Sequence, residues 1–189
     1  MTVHKSQQPP DKRLVVGVTG RIGAGKTSVA KYLSEAYRFF YIRYSQVLSD
    51  WKAQNADSKK LLQAVGWEVM EGGMQLELNK RLIANIPSKS NAAVDGLRHP
   101  IDFESLSKSF SPDFYLVYVD CVQETRWKRL EARYSRLEDF QKADCHPVER
   151  NIEALRRKAF SVIDNSGSLE HLHSCADQLL KQIHAGGLT

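Results

Sequence analysis

The sequence predicts an α/β fold, a three-layer sandwich with a central parallel sheet of about five strands and helices on both faces. Three observations predict it. Five short apolar, β-rich segments recur along the chain, helical periodicities separate them, and the residues with chemistry to offer cluster where the segments end. Strands that alternate with helices form a parallel sheet covered on both sides, and ligands bind outside the carboxyl ends of its strands.

The first segment, Leu14-Val15-Val16-Gly17-Val18, is the near-continuous apolar run of a strand buried on both faces, and a glycine-rich turn follows it. From Lys26, the positions Val29, Leu33, Ala36 and Tyr37 repeat at helical spacing. Phe39-Phe40-Tyr41-Ile42 is the second strand. A long polar and helical region follows, with Leu61, Leu62, Val65 and Val69 on one helix, an interruption at Gly72-Gly73, and Leu78, Leu82 and Ile86 on another that Pro87 stops. Ala92 to Asp95, Phe114 to Val119 and Phe160 to Asp164 are the remaining strands, the last closed by Asn165-Ser166-Gly167. Trp127, Leu130, Tyr134 and Leu137 mark one further helix, and Leu169, Leu172, Ala176, Leu179 and Ile183 mark another.

The 189 residues fit one domain, 13–189, behind a flexible tail at 1–12 that lacks the apolar core of a signal peptide. Within the domain, an acceptor-binding insertion is expected at about 45–88 and a lid at about 133–147. With 42% hydrophobic residues the chain has material for a core, yet no apolar run approaches the ~20 residues that cross a bilayer. Three scattered cysteines, Cys121, Cys145 and Cys175, suit a reducing compartment, and we expect a cytoplasmic protein without structural metal. His171 and His173 lie two apart on a helix and point in different directions, while His99 and His146 precede prolines in loops. The net charge of +5, from 27 basic and 22 acidic residues, is compatible with a phosphate-bearing partner. Without interleaved aromatic and basic residues, no specific nucleic-acid binding is expected.

The turn after the first strand carries the chemistry. Gly20-Arg21-Ile22-Gly23-Ala24-Gly25-Lys26-Thr27 is a P-loop pattern, with glycines at its first and sixth positions ahead of Lys-Thr. Its glycines let successive amides turn inward as a nest, and the helix that follows adds the positive end of its dipole. Lys26 reaches the β- and γ-phosphates of a nucleotide, and the Thr27 hydroxyl joins the shell of Mg²⁺. The fold class is therefore that of a P-loop NTPase, with ATP and Mg²⁺ as cofactors. No Asn-Lys-x-Asp base-reading motif is present, and Asp164-Asn165-Ser166-Gly167 matches the GTPase D-x-x-G pattern only as a turn after the last strand.

Two acids at strand ends compete to organise the metal, Asp95 and Asp120. Asp95 is followed by Gly-Leu-Arg, which sets the Arg98 guanidinium near a carboxylate, as a centre where phosphate and Mg²⁺ meet requires. Asp120 also suits a helix cap. Arg126, Arg129, Arg133 and Arg136 recur at helical spacing as one stripe, and the later two are expected to close over the transferring phosphoryl group.

Thr19 to Lys26 resembles the phosphate loop of dephospho-CoA kinases and their nucleoside monophosphate kinase relatives. The run Arg126 to Arg133 is similar to their lid helix, and Val162 to Glu170 to their closing strand and turn. The middle departs from bacterial dephospho-CoA kinases, because Tyr44-Ser45-Gln46-Val47-Leu48 stands where they carry Asp-x-Asp. That segment, Leu61 to Gly66, Val94 to Pro100 and Asp144 to Glu149 look more like the deoxynucleoside monophosphate kinase-like branch. Some members carry arginines near Leu61 and Met70, where this chain has Ser58, Lys59, Lys60 and Glu71.

The resemblance implies a nucleotide site of Gly20 through Thr27, Ser28, Arg129, Asn165 and Gly167, with the last turn beside the adenine. It also implies a catalytic set of Lys26, Asp95, Arg98, Arg133 and Arg136, and Thr27 and Asp95 on the metal. The expected activity is Mg²⁺-ATP-dependent phosphoryl transfer by a monomer or homodimer to a small nucleotide-like acceptor, first a (deoxy)nucleoside monophosphate. Dephospho-CoA as acceptor, and an ATP-binding switch without transfer, are the alternatives.

Overall fold

A computed structural model describes residues 13–52 and 59–186; the expected tail at 1–12 and Ser58 lie outside them. The five strands are β1 (Val15–Thr19), β2 (Phe40–Arg43), β3 (Ala92–Leu97), β4 (Phe114–Asp120) and β5 (Ser161–Asp164). They pair in parallel in the order β2-β3-β1-β4-β5, so the strand leading into the glycine-rich turn lies at the centre.

Every residue of β1 is buried, because both sides of the sheet are covered. Val16 and Val18 face α1 (Lys26–Tyr37) and α9 (Leu169–Gly186), joining Val29, Leu33, Leu172, Leu179 and Ile183 in one core. Val15, Val94 and Leu116 point the other way. They pack against α2 (Tyr44–Lys52), α4 (Gln75–Ala84), α5 (Pro100–Phe110) and α8 (Pro147–Arg156) through Val47, Leu82, Leu106 and Leu155. Among the described residues the polar region after β2 thus resolves into three helices, α2, α3 (Lys59–Glu71) and α4. No helix among the described residues is long and apolar enough to cross a membrane.

The expected single helix through Trp127 and Leu137 is a correction. Helix α6 (Gln123–Lys128) stops at Lys128, and α7 (Leu137–Asp144) starts only after a stretch of turns. Backbone bonds tighten there to three-residue spans, Leu130 to Trp127 and Arg133 to Leu130, each 2.8 Å. Packing overrides the periodicity: Trp127, Leu130 and Tyr134 wrap around Phe140 and Ile22 in a small separate cluster. The arginine stripe is broken up with the helix.

His99 and His146 are more than loop residues. Each ring accepts a backbone N–H at a helix start, His99 from Ile101 at 3.1 Å in α5 and His146 from Val148 at 3.3 Å in α8. Proline follows each, as suits a first helical position whose N–H has no helical partner.

Helix α1 ends on a residue with a conformational cost. Arg38 adopts φ 60°, while Phe39 N–H reaches Leu33 O at 3.3 Å in a left-handed C-terminal turn that glycine ordinarily fills. Relief of about 1–2 kcal/mol of left-handed strain outweighs about 0.4–1 kcal/mol of added chain entropy in the unfolded state. Arg38→Gly is therefore expected to stabilise the protein by about 0.5–1 kcal/mol, read as a higher urea midpoint at unchanged slope. A lower midpoint contradicts the assignment of strain.

Candidate nucleotide-binding site

The turn after β1 is built from backbone shapes that a side chain would spoil. Gly20 has φ 146°, and a Cβ there would stand 2.3 Å from the Val119 carbonyl oxygen. Gly25 has φ 101°, and its Cβ would meet the Asn165 amide nitrogen at 2.1 Å. Gly25 is also the cap from which α1 starts, so the free amides of the first helical turn open toward the loop.

Lys26 folds back over the loop, donating to the carbonyl oxygens of Gly20 at 2.8 Å and Arg21 at 2.9 Å. Burial pushes its pKa down to about 8, with Arg98 acting in the same direction and Glu149 and Asp95 opposing. Its ammonium is held where a phosphate oxygen would be a better partner than a neutral carbonyl.

Next to it, the Thr27 hydroxyl donates to Asp95 Oδ2 at 2.7 Å, and the Tyr41 hydroxyl donates to the same oxygen at 3.0 Å. Asp95 is buried within β3, two residues before the strand ends at Leu97, and burial followed by its charge pushes Tyr41 up to about 12. A hydroxyl and a carboxylate brought together beside an amide nest form the oxygen donor set that Mg²⁺ takes. Asp120, on the other side of β1, accepts instead from Arg156 at 2.8 Å and from the Cys121 amide at 3.0 Å; it does not cap α6.

Arg98 follows β3 and pairs with Glu149, a buried residue in the first turn of α8. The second Glu149 oxygen accepts the Ile22 amide of the loop at 3.1 Å. Asp102 holds the Arg98 backbone from behind: it accepts the amides of Arg98 at 3.0 Å and His99 at 2.9 Å, and the side chains of Gln75 at 2.5 Å and Asn79 at 3.0 Å. Asn79 in turn accepts from Tyr44, so a buried polar chain runs from α2 through α4 to the arginine.

On the far side of Gly25 lies a cleft of ≈ 220 Å³ lined by Gly25, Ser28, Arg129, Asn165, Leu169 and Leu172. Asn165 is tied to the loop, donating to Ala24 O at 2.8 Å, and accepts through its own carbonyl from Arg129 at 2.8 Å. Gly167 sits beyond it against His171. Leu169 and Leu172 give it an apolar wall on α9, and Arg129 and Asn165 give it a polar edge.

The remaining arginines divide. Arg133 lies over the Tyr134 ring, 5.0 Å from guanidinium to centroid. Arg136 is exposed and makes ion pairs with Glu138 and Asp139. Arg126 turns inward: buried, it pairs with both oxygens of Asp144 at 2.5 and 3.0 Å, and donates to the carbonyls of Ile22 and Cys121. Arg21 reaches the same Asp144 at 3.2 Å.

Asp144, Glu149, Tyr41 and Tyr134 are the residues that motif spacing did not single out. Asp144 and Glu149 carry a faint signal, acids five apart after an arginine-rich stretch, but only the fold shows which arginine each faces.

The AAA domain family matches residues 16–156. The chain belongs to that family. This AAA domain is 27% identical over 202 aligned positions to a dephospho-CoA kinase of Corynebacterium efficiens, covering 90% of this chain and 97% of that one. Over 95 residues it is 26% identical to a UPF0200/UPF0201 protein of Archaeoglobus fulgidus, which is 48% of this chain but only 29% of that longer protein. Among solved structures, shikimate kinase from Aquifex aeolicus superposes with a TM-score of 0.61 at 14% identity, covering 93% of this chain and 99% of that one. Shikimate kinase from Acinetobacter baumannii, in complex with shikimate, superposes at 0.59 and 15% identity, covering 94% and 96%. The AAA domain therefore has the P-loop kinase fold, with its five-stranded parallel sheet and surrounding helices.

The latch around Asp144 is testable as stability. Burial alone would raise its pKa, but the hydrogen bonds and charge of Arg126, with Arg21, hold the carboxyl below its ordinary range. Its pairing is thus at full strength above the unfolded value of about pH 4 and is lost as pH falls through the depressed folded value. Asp144→Ala strands the buried Arg126 charge and is expected to cost about 3–5 kcal/mol in urea unfolding at neutral pH. A loss below about 1 kcal/mol would show that water repairs the site.

Proposed function

We propose that this protein is a Mg²⁺-ATP-dependent phosphotransferase that moves the γ-phosphoryl group to a small nucleotide-like acceptor, first of all a (deoxy)nucleoside monophosphate. The observation that carries this reading is the Thr27–Asp95 contact beside the glycine nest, because it joins the oxygen donors for a metal to the phosphate cradle by linking the first turn of α1 to β3.

Bound Mg²⁺-ATP supplies the γ-phosphoryl group and neutralises part of its charge. The protein's share is alignment and electrostatics: the acceptor oxygen forms its bond to phosphorus as the bond to the ADP oxygen breaks. The amides from Gly20 to Thr27 and of Ser28 hold the phosphates. Lys26 exchanges its carbonyl partners for the migrating group's oxygens, and Thr27 with Asp95 holds the metal, Tyr41 fixing the carboxylate. Arg98 grips the transferring phosphoryl group or the acceptor's phosphate. The base lies in the cleft beside Arg129 and Asn165, with Gly167 closing the turn. Segment 133–147 serves as the lid that carries Arg133 and Arg136 inward on closure, and segment 45–88 forms the acceptor side.

A second reading, with the hydroxyl of dephospho-CoA as acceptor, is favoured by the near full-length likeness to the Corynebacterium enzyme. ADP release assayed over a panel of ribo- and deoxynucleoside monophosphates and dephospho-CoA separates the two. Tight ATP binding with no turnover anywhere on the panel points to a nucleotide-dependent switch instead.

Lys26→Ala removes a contact to charge that develops in the transition state, so kcat on the best acceptor is expected to fall by about 10²–10³-fold, equivalent to about 3–4 kcal/mol. Turnover unchanged by this substitution would refute the assignment of the loop.

A further inference from the structure

The front of the phosphate nest already holds an anion of the protein's own. Glu149 is 1% exposed; one of its oxygens accepts the Ile22 amide at 3.1 Å and the other takes the Arg98 guanidinium. The hydroxyl of Tyr134, buried nearby, has no hydrogen-bond acceptor among the described residues, although the charges of Arg133, Glu149 and Arg98 all act on it.

A carboxylate and the edge of a phosphate offer a guanidinium the same thing, two oxygens side by side. Backbone amides in a nest bind either. Loop amides cradle the α- and β-phosphates, and the loop lysine marks the β/γ end. Here the Lys26 ammonium lies on the carbonyls of Gly20 and Arg21, beside the Ile22 amide that Glu149 occupies. Glu149 therefore stands at the terminal-phosphate end, and a phosphate arriving there also gives the Tyr134 hydroxyl the acceptor it lacks.

We propose that Glu149 is a displaceable internal stand-in for the terminal phosphate, a specificity-determining residue that yields Arg98 and the Ile22 amide to a triphosphate but is left in place by a diphosphate. This rests on the reading of the loop as a nucleotide site. The competition lowers the affinity of the resting protein for ATP relative to ADP.

Glu149→Gln keeps an oxygen for the Ile22 amide while removing the charge that engages Arg98. Calorimetric titration with Mg²⁺-ATP and Mg²⁺-ADP is expected to show ATP bound about tenfold more tightly by the variant than by wild type, and ADP within about twofold. Equal strengthening of both nucleotides, or no change in either, overturns the proposal while leaving the loop assignment intact. A wild-type protein that binds neither nucleotide overturns the loop assignment and this inference with it. If Glu149→Gln does not fold, the wild type answers: its Arg98 Nε–H resonance, assigned through Arg98→Lys, should move on adding ATP and stay on adding ADP. A resonance indifferent to both nucleotides refutes the exchange of partners.

Discussion

The structure around the loop is governed by one electrostatic constraint. Lys26, Arg98, Arg126 and Arg21 converge at the carboxyl end of the sheet, and each must be neutralised or solvated when no phosphate is present. The fold meets the constraint with buried acids. Asp144 takes Arg126 and Arg21, Glu149 takes Arg98, and Lys26 is left to backbone carbonyls. The asymmetry follows from charge count. A carboxylate placed directly on Lys26 would have to be removed before any phosphate entered, whereas carbonyl oxygens release the ammonium at small cost. Burial depresses the pKa of Lys26, with Arg98 and Arg126 acting in the same direction.

Sheet order decides which acid can serve the loop. Because β1 lies between β3 and β4, Asp95, near the carboxyl end of β3, and Asp120, which closes β4, both flank the glycine turn. Along β3 the register against β1 slips between Val18 and Thr19, where Thr19 donates to the Leu97 carbonyl at 2.8 Å, and Asp95 is buried beside the first turn of α1. Asp120 sits one strand over, at the start of the path into α6, and answers to Arg156. Two acids with the same local signature, an apolar strand closed by Asp, are separated by topology alone.

Much of this was legible in the sequence because the signals were local. A buried parallel strand, a glycine turn and an amphipathic helix are adjacent in the chain, and nothing distant is needed to read Gly20 to Thr27 as a nest. The five strands were legible for the same reason. What escaped reading depends on contacts far apart in sequence. Trp127, Leu130, Tyr134 and Leu137 have helical spacing, yet the cluster that the first three form with Phe140 and Ile22 bends the chain and leaves Leu137 exposed. The arginine stripe spaced along one helix face was in fact distributed, with Arg126 buried, Arg129 at the Asn165 carbonyl, Arg133 over a tyrosine and Arg136 in surface ion pairs. Glu149 illustrates the limit most clearly. In sequence it is an ordinary acid in a first helical turn, and its partners Ile22 and Arg98 lie more than fifty residues upstream.

That placement ties together parts of the molecule that would otherwise titrate and move separately. Glu149 lies three residues after His146, whose ring accepts the Val148 amide at the start of α8 and meets Trp67 of α3 edge-on at 5.4 Å between centroids. Through α8 the loop is therefore in contact with the segment after α7 and with α3, while the buried chain from Tyr44 through Asn79 and Asp102 reaches Arg98 from the other direction. A shift of Arg98 from carboxylate to phosphate changes the partner of a residue on which both routes converge. It leaves Glu149 buried and charged, a costly state unless α8 moves or the carboxylate finds another cation. Arg133 acts electrostatically on the same Tyr134 on which the charges of Arg98 and Glu149 act. Rearrangement around Arg98 is thus coupled, by the energetics of one buried charge, to α8.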